Sequence, residues 1–251
     1  MRIQYCSDLH LELGQNSKYF ETTPLSVAGD ILILAGDIVP LHDEYLTNPF
    51  FGFVSKNYKQ VYWVPGNHEF YHKSISDYSH SYNISVYENI HFVNNIELEY
   101  SGIRFIFSTL WSKITLGNEK NIERNVADFE LISHDKKKFN AAAFNKLHNE
   151  SLGFIKKVLS TKHEKTVVVT HHLPSVLCNS QVHNASLINE AFCVDLTDYI
   201  KECGANFWIH GHSHFNYHPL IVGNTLMLTN QLGYIHLNES KGFRRNAYFS
   251  I

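Results

Sequence analysis

The sequence predicts an α/β protein, one domain over residues 1–251 with a mixed sheet or two packed sheets and helices outside. Three observations carry this. Short apolar, β-branched runs recur along the chain, at residues 31–35, 61–64, 165–170 and 206–209 among others. Segments with helical spacing and a few hairpin signals lie between them, and no repeat, linker or low-complexity tract divides the chain. Each of these runs ends in polar residues rich in His, Asp and Asn. In α/β sheets the C-terminal strand edge is the usual place for a site.

The totals narrow the class. Hydrophobic residues make up 44% and charged residues 18% of the 251, which suits a folded globular chain. The net charge of -3 disfavours long nucleic acid as a partner, which calls for a basic surface. The unusual count is 17 His, the residue of metal ligation and of proton transfer near neutral pH. The four Cys (Cys6, Cys178, Cys193, Cys203) form no C-x-x-C pair and no zinc-finger spacing. They read as free thiols in a reducing, cytoplasmic compartment, with Cys6 and Cys203 packing as small hydrophobes. No apolar run reaches the length of a membrane span, and a strand with candidate ligands by Asp8 leaves no room for a cleaved leader.

In chain order, a first strand at 2–6 delivers Ser7-Asp8-Leu9-His10. Asp8 and His10 are two apart, so in extended backbone they share a face. Residues 11–26 are polar and read as a loop. Two Gly-Asp pairs flank the strand at 31–35; Asp37 leaves it at the same edge as Asp8, whereas Asp30 enters it and reads as a turn residue. The spacing of Leu46, Phe50, Phe53, Val54 and Tyr58 predicts a helix beginning near Asn48, with Pro49 in its first turn. The strand at 61–64 runs into Pro65-Gly66-Asn67-His68-Glu69.

Residues 75–88 read as a weak helix, with His72 and His80 as exposed polar residues. Segments 91–93 and 96–100 flank Asn94-Asn95 and predict a hairpin, followed by a strand at 103–108. Residues 111–134 are irregular and are assigned to the rim of the site. The longest helix is predicted over 135–162, and the strand at 165–170 delivers His171-His172. A second irregular segment spans 175–192. A helix at 194–203 stops at Gly204, and the strand at 206–209 ends in His210-Gly211-His212-Ser213-His214. Strands at 226–229 and 247–251 close the sheet system.

Taken together, Asp8, His10, Asp37, Asn67, His68, His171, His212 and His214 are nitrogen and oxygen donors without a thiolate. That set suits Mn, Fe or Zn. They are too many for one ion, which implies two divalent metal ions sharing a carboxylate, with Asp37 the bridge.

The ordered series D-x-H, G-D, G-N-H-E, H and G-H-x-H, from Asp8 to His214, resembles the calcineurin-like metallophosphoesterases. The wording Ser7 to Glu12 (SDLHLE) and Val167 to Ser175 (VVVTHHLPS) is similar to compact prokaryotic members. The resemblance implies a four-layer αββα sandwich. It implies Asp8, His10 and His214 on one metal, Asn67, His171 and His212 on the other, and Asp37 between. His68 would be the general acid or a phosphate partner, steadied by Glu69, with His172 nearby or at the rim. One departure is Pro40, where the family often has Asp or Arg three residues after the bridging Asp. The segment 230–234 resembles one that borders the site in relatives.

The implied function is hydrolysis of a small phosphate ester, a phosphodiester over a monoester, by hydroxide generated at the metal pair. The sequence offers no Arg cluster for a dianionic phosphate; Lys113, Lys120, Arg124, Arg244 and Arg245 are the available cations. The alternatives are a protein-binding scaffold on the same fold, which filled ligand positions argue against, and a nuclease, which would need a basic groove or an added domain.

Overall fold

The computed structural model describes all 251 residues, Met1–Ile251. Two six-stranded mixed sheets dominate it. The N-terminal half supplies β1 (Arg2–Cys6), β2 (Ile31–Ala35), β3 (Gln60–Val64), β4 (Tyr82–Tyr87), β5 (Ile90–Asn94), β6 (Ile96–Tyr100) and β7 (Ile103–Ser108). A small hairpin, β8 (Ser133–His134) and β9 (Lys137–Lys138), follows. The remaining strands are β10 (Thr166–Thr170), β11 (Phe207–His210), β12 (Leu220–Val222), β13 (Thr225–Thr229) and β14 (Tyr248–Ser250). The first sheet runs β14-β1-β2-β3-β5-β4 and the second β12-β13-β11-β10-β7-β6. In each, four central strands are parallel and both edge strands antiparallel.

Alternation along the strands builds the layers. Ile3, Tyr5, Ile31, Ile33, Tyr62 and Val64 of the first sheet meet Phe105, Phe107, Val167, Val169, Ile209 and Leu228 of the second in one buried cluster. The opposite face of the first sheet, with Leu32, Leu34 and Trp63, packs against Phe20 of α1 (Gly14–Thr22) and Phe50, Phe51 and Val54. The latter three lie beyond the single turn of α2 (Asp43–Leu46), on α3 (Pro49–Asn57). After two short rim helices, α4 (Glu119–Asn125) and α5 (Asp128–Leu131), comes the long α6 (Ala141–Leu159). A one-turn α7 (Gln181–Asn184) and α8 (Thr197–Glu202) complete the set. Ile155, Leu159 and Ile200 from α6 and α8 cover Ile106, Val168, Trp208 and Met227 on the outer face of the second sheet. The arrangement is the αββα sandwich, because each sheet has two apolar faces and needs a partner on both.

Several elements follow the sequence pattern closely. Asn48 caps α3, its side chain accepting from Phe50 N at 2.9 Å with Pro49 at the first helical position. The parallel strands fall on the apolar runs.

Others depart from it for physical reasons. Residues 11–26 are not all loop: α1 forms there. It buries Asn16, whose amide donates to the Leu9 and Gly233 carbonyls at 2.9 and 2.8 Å, so its inner face is partly polar and leaves no apolar stripe. The weak helix of 75–88 is instead a single 3-10 turn and then β4, an exposed edge strand with a bulge near Ser85, which shows no clean alternation. The predicted helix of 135–162 begins only at Ala141. Asp135 and Lys136, with φ of 50° and 59°, form the tight turn of β8–β9, and Asn140 caps α6 through Ala143 N. The edge strand β12 has no signal long enough to announce it.

The predicted hairpin at Asn94-Asn95 is not one. β5 pairs with β3 and β4, whereas β6 pairs with β7, so the chain changes sheets at Asn95. Asn95 adopts φ 47° and is 4% exposed. Its Oδ1 accepts from Ser108 Oγ at 2.7 Å and its Nδ2 donates to the His80 carbonyl at 3.0 Å. Asn95→Ala loses both bonds and strains the left-handed backbone, so urea unfolding should show about 2–3 kcal/mol less stability. Asn95→Gly, which keeps the backbone, should lose less; equal losses would discount the conformational share.

Candidate metal centre

The C-terminal ends of β1, β2, β3, β10 and β11 open onto one edge where the two sheets meet, and the sequence-marked residues converge there. Asp8, His10 and His214 form one group, and Asp37, His171 and His212 another; within each group one ligand atom per residue lies within 4.8 Å of the others. Five of these residues have left-handed backbone: Asp8 (φ 54°), His10 (46°), Asp37 (56°), His212 (79°) and His214 (51°). For a non-glycine residue that conformation costs on the order of 1–2 kcal/mol, and such strain gathers at functional sites. Gly66 explains why the third motif opens on glycine: a Cβ there would lie 2.1 Å from Asp37 Oδ1 and 2.6 Å from His171 Nε2.

Hydrogen bonds on the outer side of the His171, His10 and His214 rings set which nitrogen faces inward; His212 Nε2 has no such partner. His171 Nδ1 donates to the Ala35 carbonyl at 2.8 Å, so Nε2 presents its lone pair to the site. That lone pair meets His212 Nδ1 at 3.1 Å, Asn67 Oδ1 at 3.2 Å and Asp37 Oδ2 at 3.3 Å. In the other group, His10 Nδ1 is directed at Glu12 and His214 Nδ1 at Glu239, leaving their Nε2 atoms 3.0 Å apart. Asp8 Oδ1 stands 3.5 Å from His214 Nε2. Acceptors converging on acceptors at this range repel unless a cation stands among them. The donor set therefore fits two divalent cations bound by nitrogen and oxygen.

Asp37 joins the two groups, its Oδ2 being 3.3 Å from His171 Nε2 and 3.9 Å from His10 Nε2. Burial favours its neutral acid, but the His171, His68 and His10 rings outweigh it and hold the carboxyl well below its ordinary range. Burial likewise opposes charge on His171, and Asp37 and Asp8 raise it to about 10, so without a cation Nε2 takes up a proton that a bound cation would replace.

Asn67 has its amide orientation set from outside. Its Nδ2 donates to Asp128 Oδ1 at 2.8 Å, and Tyr71 donates to the same oxygen at 2.9 Å, leaving Asn67 Oδ1 turned toward His171. His68 stands at the mouth of the site. Its backbone N–H donates to Asp37 Oδ1 at 2.9 Å, and its ring lies 4.1 Å from that of Tyr71. Its Nδ1 is 3.4 Å from Glu12 Oε1 and its Nε2 is 3.3 Å from the Tyr234 hydroxyl. Burial lowers its basicity, but Asp37, Glu12 and Asp128 raise it to about 9.

One expectation needs correction, and another, between two places for His172, is decided. Glu69 does not steady His68. Its carboxylate is fully buried and accepts from Gly66 N (2.6 Å), Ile38 N (2.7 Å), Asp37 N (2.9 Å) and Trp63 Nε1 (3.1 Å). It ties the loop after β2 to the loop after β3, because those loops have backbone donors and no strand left to satisfy them. His172 is not at the rim: it is buried between Trp111 and His212, with ring centroids 5.1 and 4.2 Å away. Both of its ring nitrogens lack a partner, and burial pushes it well below the usual histidine range.

A cavity of about 400 Å³ opens above Asp37, Asn67, His68, His212 and His214. Its walls come from the two irregular segments, through Asn125, Val126 and Asp128 and through Asn179, Ile188 and Phe192. Residues 111–134 thus reach the rim as expected, though carrying α4 and α5. Neither Lys nor Arg lines it. Glu12, Tyr71, Asp128, Tyr234 and Glu239 were not singled out from the sequence. Glu12 sits inside a quoted motif and Tyr234 in the 230–234 segment; Asp128 opens the single turn of α5 and Glu239 lies in irregular backbone, neither with a local signal. All four Cys are free, Cys203 only partly buried, and no helix is long and apolar enough to cross a membrane.

Comparison with known proteins agrees with this architecture. An uncharacterized protein of Acanthamoeba polyphaga mimivirus is 33% identical over 279 residues, covering 100% of this chain and 97% of its own length. The crystal structure of a phosphopantetheinyl hydrolase from Mycobacterium tuberculosis superposes with a TM-score of 0.67 at 19% identity, over 97% of this chain and 93% of that one. The family model for calcineurin-like phosphoesterases matches residues 1–216, so Tyr234 and Glu239 lie beyond the matched region. The chain belongs to the calcineurin-like phosphoesterase family.

Proposed function

We propose that this chain is a dinuclear metal-dependent phosphoesterase that hydrolyses a small phosphodiester. The observation that carries it is the convergence of His10, His214, His171, His212 and Asn67 acceptor atoms at 3.0–3.2 Å, around the carboxylates of Asp8 and Asp37. Asp8, His10 and His214 would hold one cation, Asn67, His171 and His212 the other, and Asp37 both; Mn, Fe and Zn suit this donor set. When bound, such cations supply hydroxide from water near neutral pH and neutralise phosphate charge.

The chain's own residues do the rest. Asp128 and Tyr71 keep Asn67 turned inward, and the Ala35 carbonyl, Glu12 and Glu239 fix the imidazole tautomers. His68 lines the cavity with its Nε2 beside the lining Tyr234 hydroxyl, and would give its proton to the departing ester oxygen. The cavity has no Lys or Arg to balance a second phosphate charge, which supports a singly charged diester over a dianionic monoester. The same lack of lining cations and the -3 net charge argue against long nucleic acid. The mycobacterial hydrolase of the same fold supports hydrolase chemistry without naming this chain's substrate.

Purified protein with Mn²⁺ should release p-nitrophenol from bis-p-nitrophenyl phosphate. Chelation followed by dialysis should abolish the rate, and added metal should restore it; a rate that survives metal removal rejects the reading. Asp37→Asn should lose at least about 100-fold in rate and one of two metal equivalents by elemental analysis. Full occupancy of two metals in that variant would contradict the shared carboxylate. His68→Ala should keep both metals and lose about 10²–10⁴-fold in kcat on methyl phenyl phosphate, whose phenolate needs a proton, and undiminished turnover of that ester would remove the acid role.

A further inference from the structure

We infer that Glu12 is the positioning residue of His68, a role resting on the phosphoesterase reading above. Glu12 follows His10 by two residues in the turn after β1 and is pulled under the site. The turn is held by Leu11 N to the Ile38 carbonyl at 2.9 Å and by Leu13 N to the His10 carbonyl at 3.0 Å. One oxygen, Oε1, lies 3.3 Å from His10 Nδ1 and 3.4 Å from His68 Nδ1. Both distances are long, as befits one acceptor shared by two donors. The other oxygen, Oε2, is buried without a partner, so all of the carboxylate's hydrogen bonding goes to these two imidazoles.

Nothing else serves His68 Nδ1. Glu69, next in sequence, is committed to four donors elsewhere. The residues after Asp37 are Ile38, Val39 and Pro40, apolar and buried. Tyr234 occupies the Nε2 side at 3.3 Å and Tyr71 the ring face at 4.1 Å. With Nδ1–H held by Glu12, the ring keeps Nε2 on the opposite side, beside the Tyr234 hydroxyl that lines the cavity. The proton leaves Nε2 for the ester oxygen as the P–O bond breaks; Nδ1 keeps its own proton and Glu12 stays ionised. Because the same oxygen also holds His10, a ligand candidate and the proton donor share one buttress.

The test compares Glu12→Gln with the parent, both loaded with Mn²⁺, on methyl 4-nitrophenyl phosphate and methyl phenyl phosphate. The nitrophenolate leaves without help, whereas phenolate needs a proton. The variant should lose about 10–100-fold in kcat on the phenyl ester and less than about threefold on the nitrophenyl ester, with KM and two-metal content unchanged. In a His68→Ala background the same change should cost nothing further on either ester. If the Gln variant does not fold, Glu12→Asp, which keeps the charge and shortens the reach, should give the same selective loss. A uniform loss on both esters or additivity with His68→Ala, each read at full two-metal loading, would overturn the assignment. A parent inactive on both esters with Mn²⁺ would overturn the phosphoesterase reading, and this assignment with it.

Discussion

The site depends on holding together atoms that repel one another. The Nε2 lone pairs of His10 and His214 face each other at 3.0 Å, and His171 Nε2 meets His212 Nδ1 at 3.1 Å. No side chain would choose that arrangement alone. It is imposed by parallel strands that end at one edge, by left-handed backbone at five of the converging residues, and by outer hydrogen bonds that prevent the rings from turning away. Each device costs free energy in the protein by itself, and a bound cation repays it by replacing repulsion with coordination.

Burial gives those devices their rigidity. Asp8, His10, Glu69 and His171 have no exposed surface, so each polar atom must be satisfied by the protein or by what it binds. Glu69 shows this most clearly. A carboxylate sealed under the site would be costly if unpaired, yet three backbone donors from two loops and the Trp63 indole of β3 close on it, and the loops carrying Asp37 and Asn67 are fixed relative to each other. Burial and the neighbouring Asp37 still raise its pKa to about 7, a sign of how crowded with negative charge the edge is.

Above this rigid floor the walls are of another kind. Residues 125–128 and 179–192 bring Asn, Ser, Ile and Phe to the cavity, on single turns and irregular backbone. A cluster of Trp111, Ile122, Phe129, Phe139 and Phe144 anchors the first of these segments from below. Floor and walls divide the labour: strand ends carry the donor atoms, and the connecting segments shape the space offered to a substrate.

The sequence by itself determined the parallel strands, the ordered polar blocks at their ends and the donor chemistry. A buried strand needs a continuous apolar run, and a polar residue just after one has few ordinary reasons to be there. The start of α3 was equally legible in Asn48-Pro49. Tertiary structure alone decided the rest. Asn95 looks like a hairpin turn but carries the chain between sheets, because Leu98 finds its partner in Phe105 and not across the turn. Residues 14–22 are helical because Asn16 is satisfied by two carbonyls, one of them 217 residues away. Glu69 stands beside His68 in the chain and serves the loops, whereas Glu12 stands 56 residues away and meets its ring. Local pattern reports which backbone a segment prefers; which side chain a buried carboxylate meets is set by how the strand ends assemble, and no window of sequence contains that.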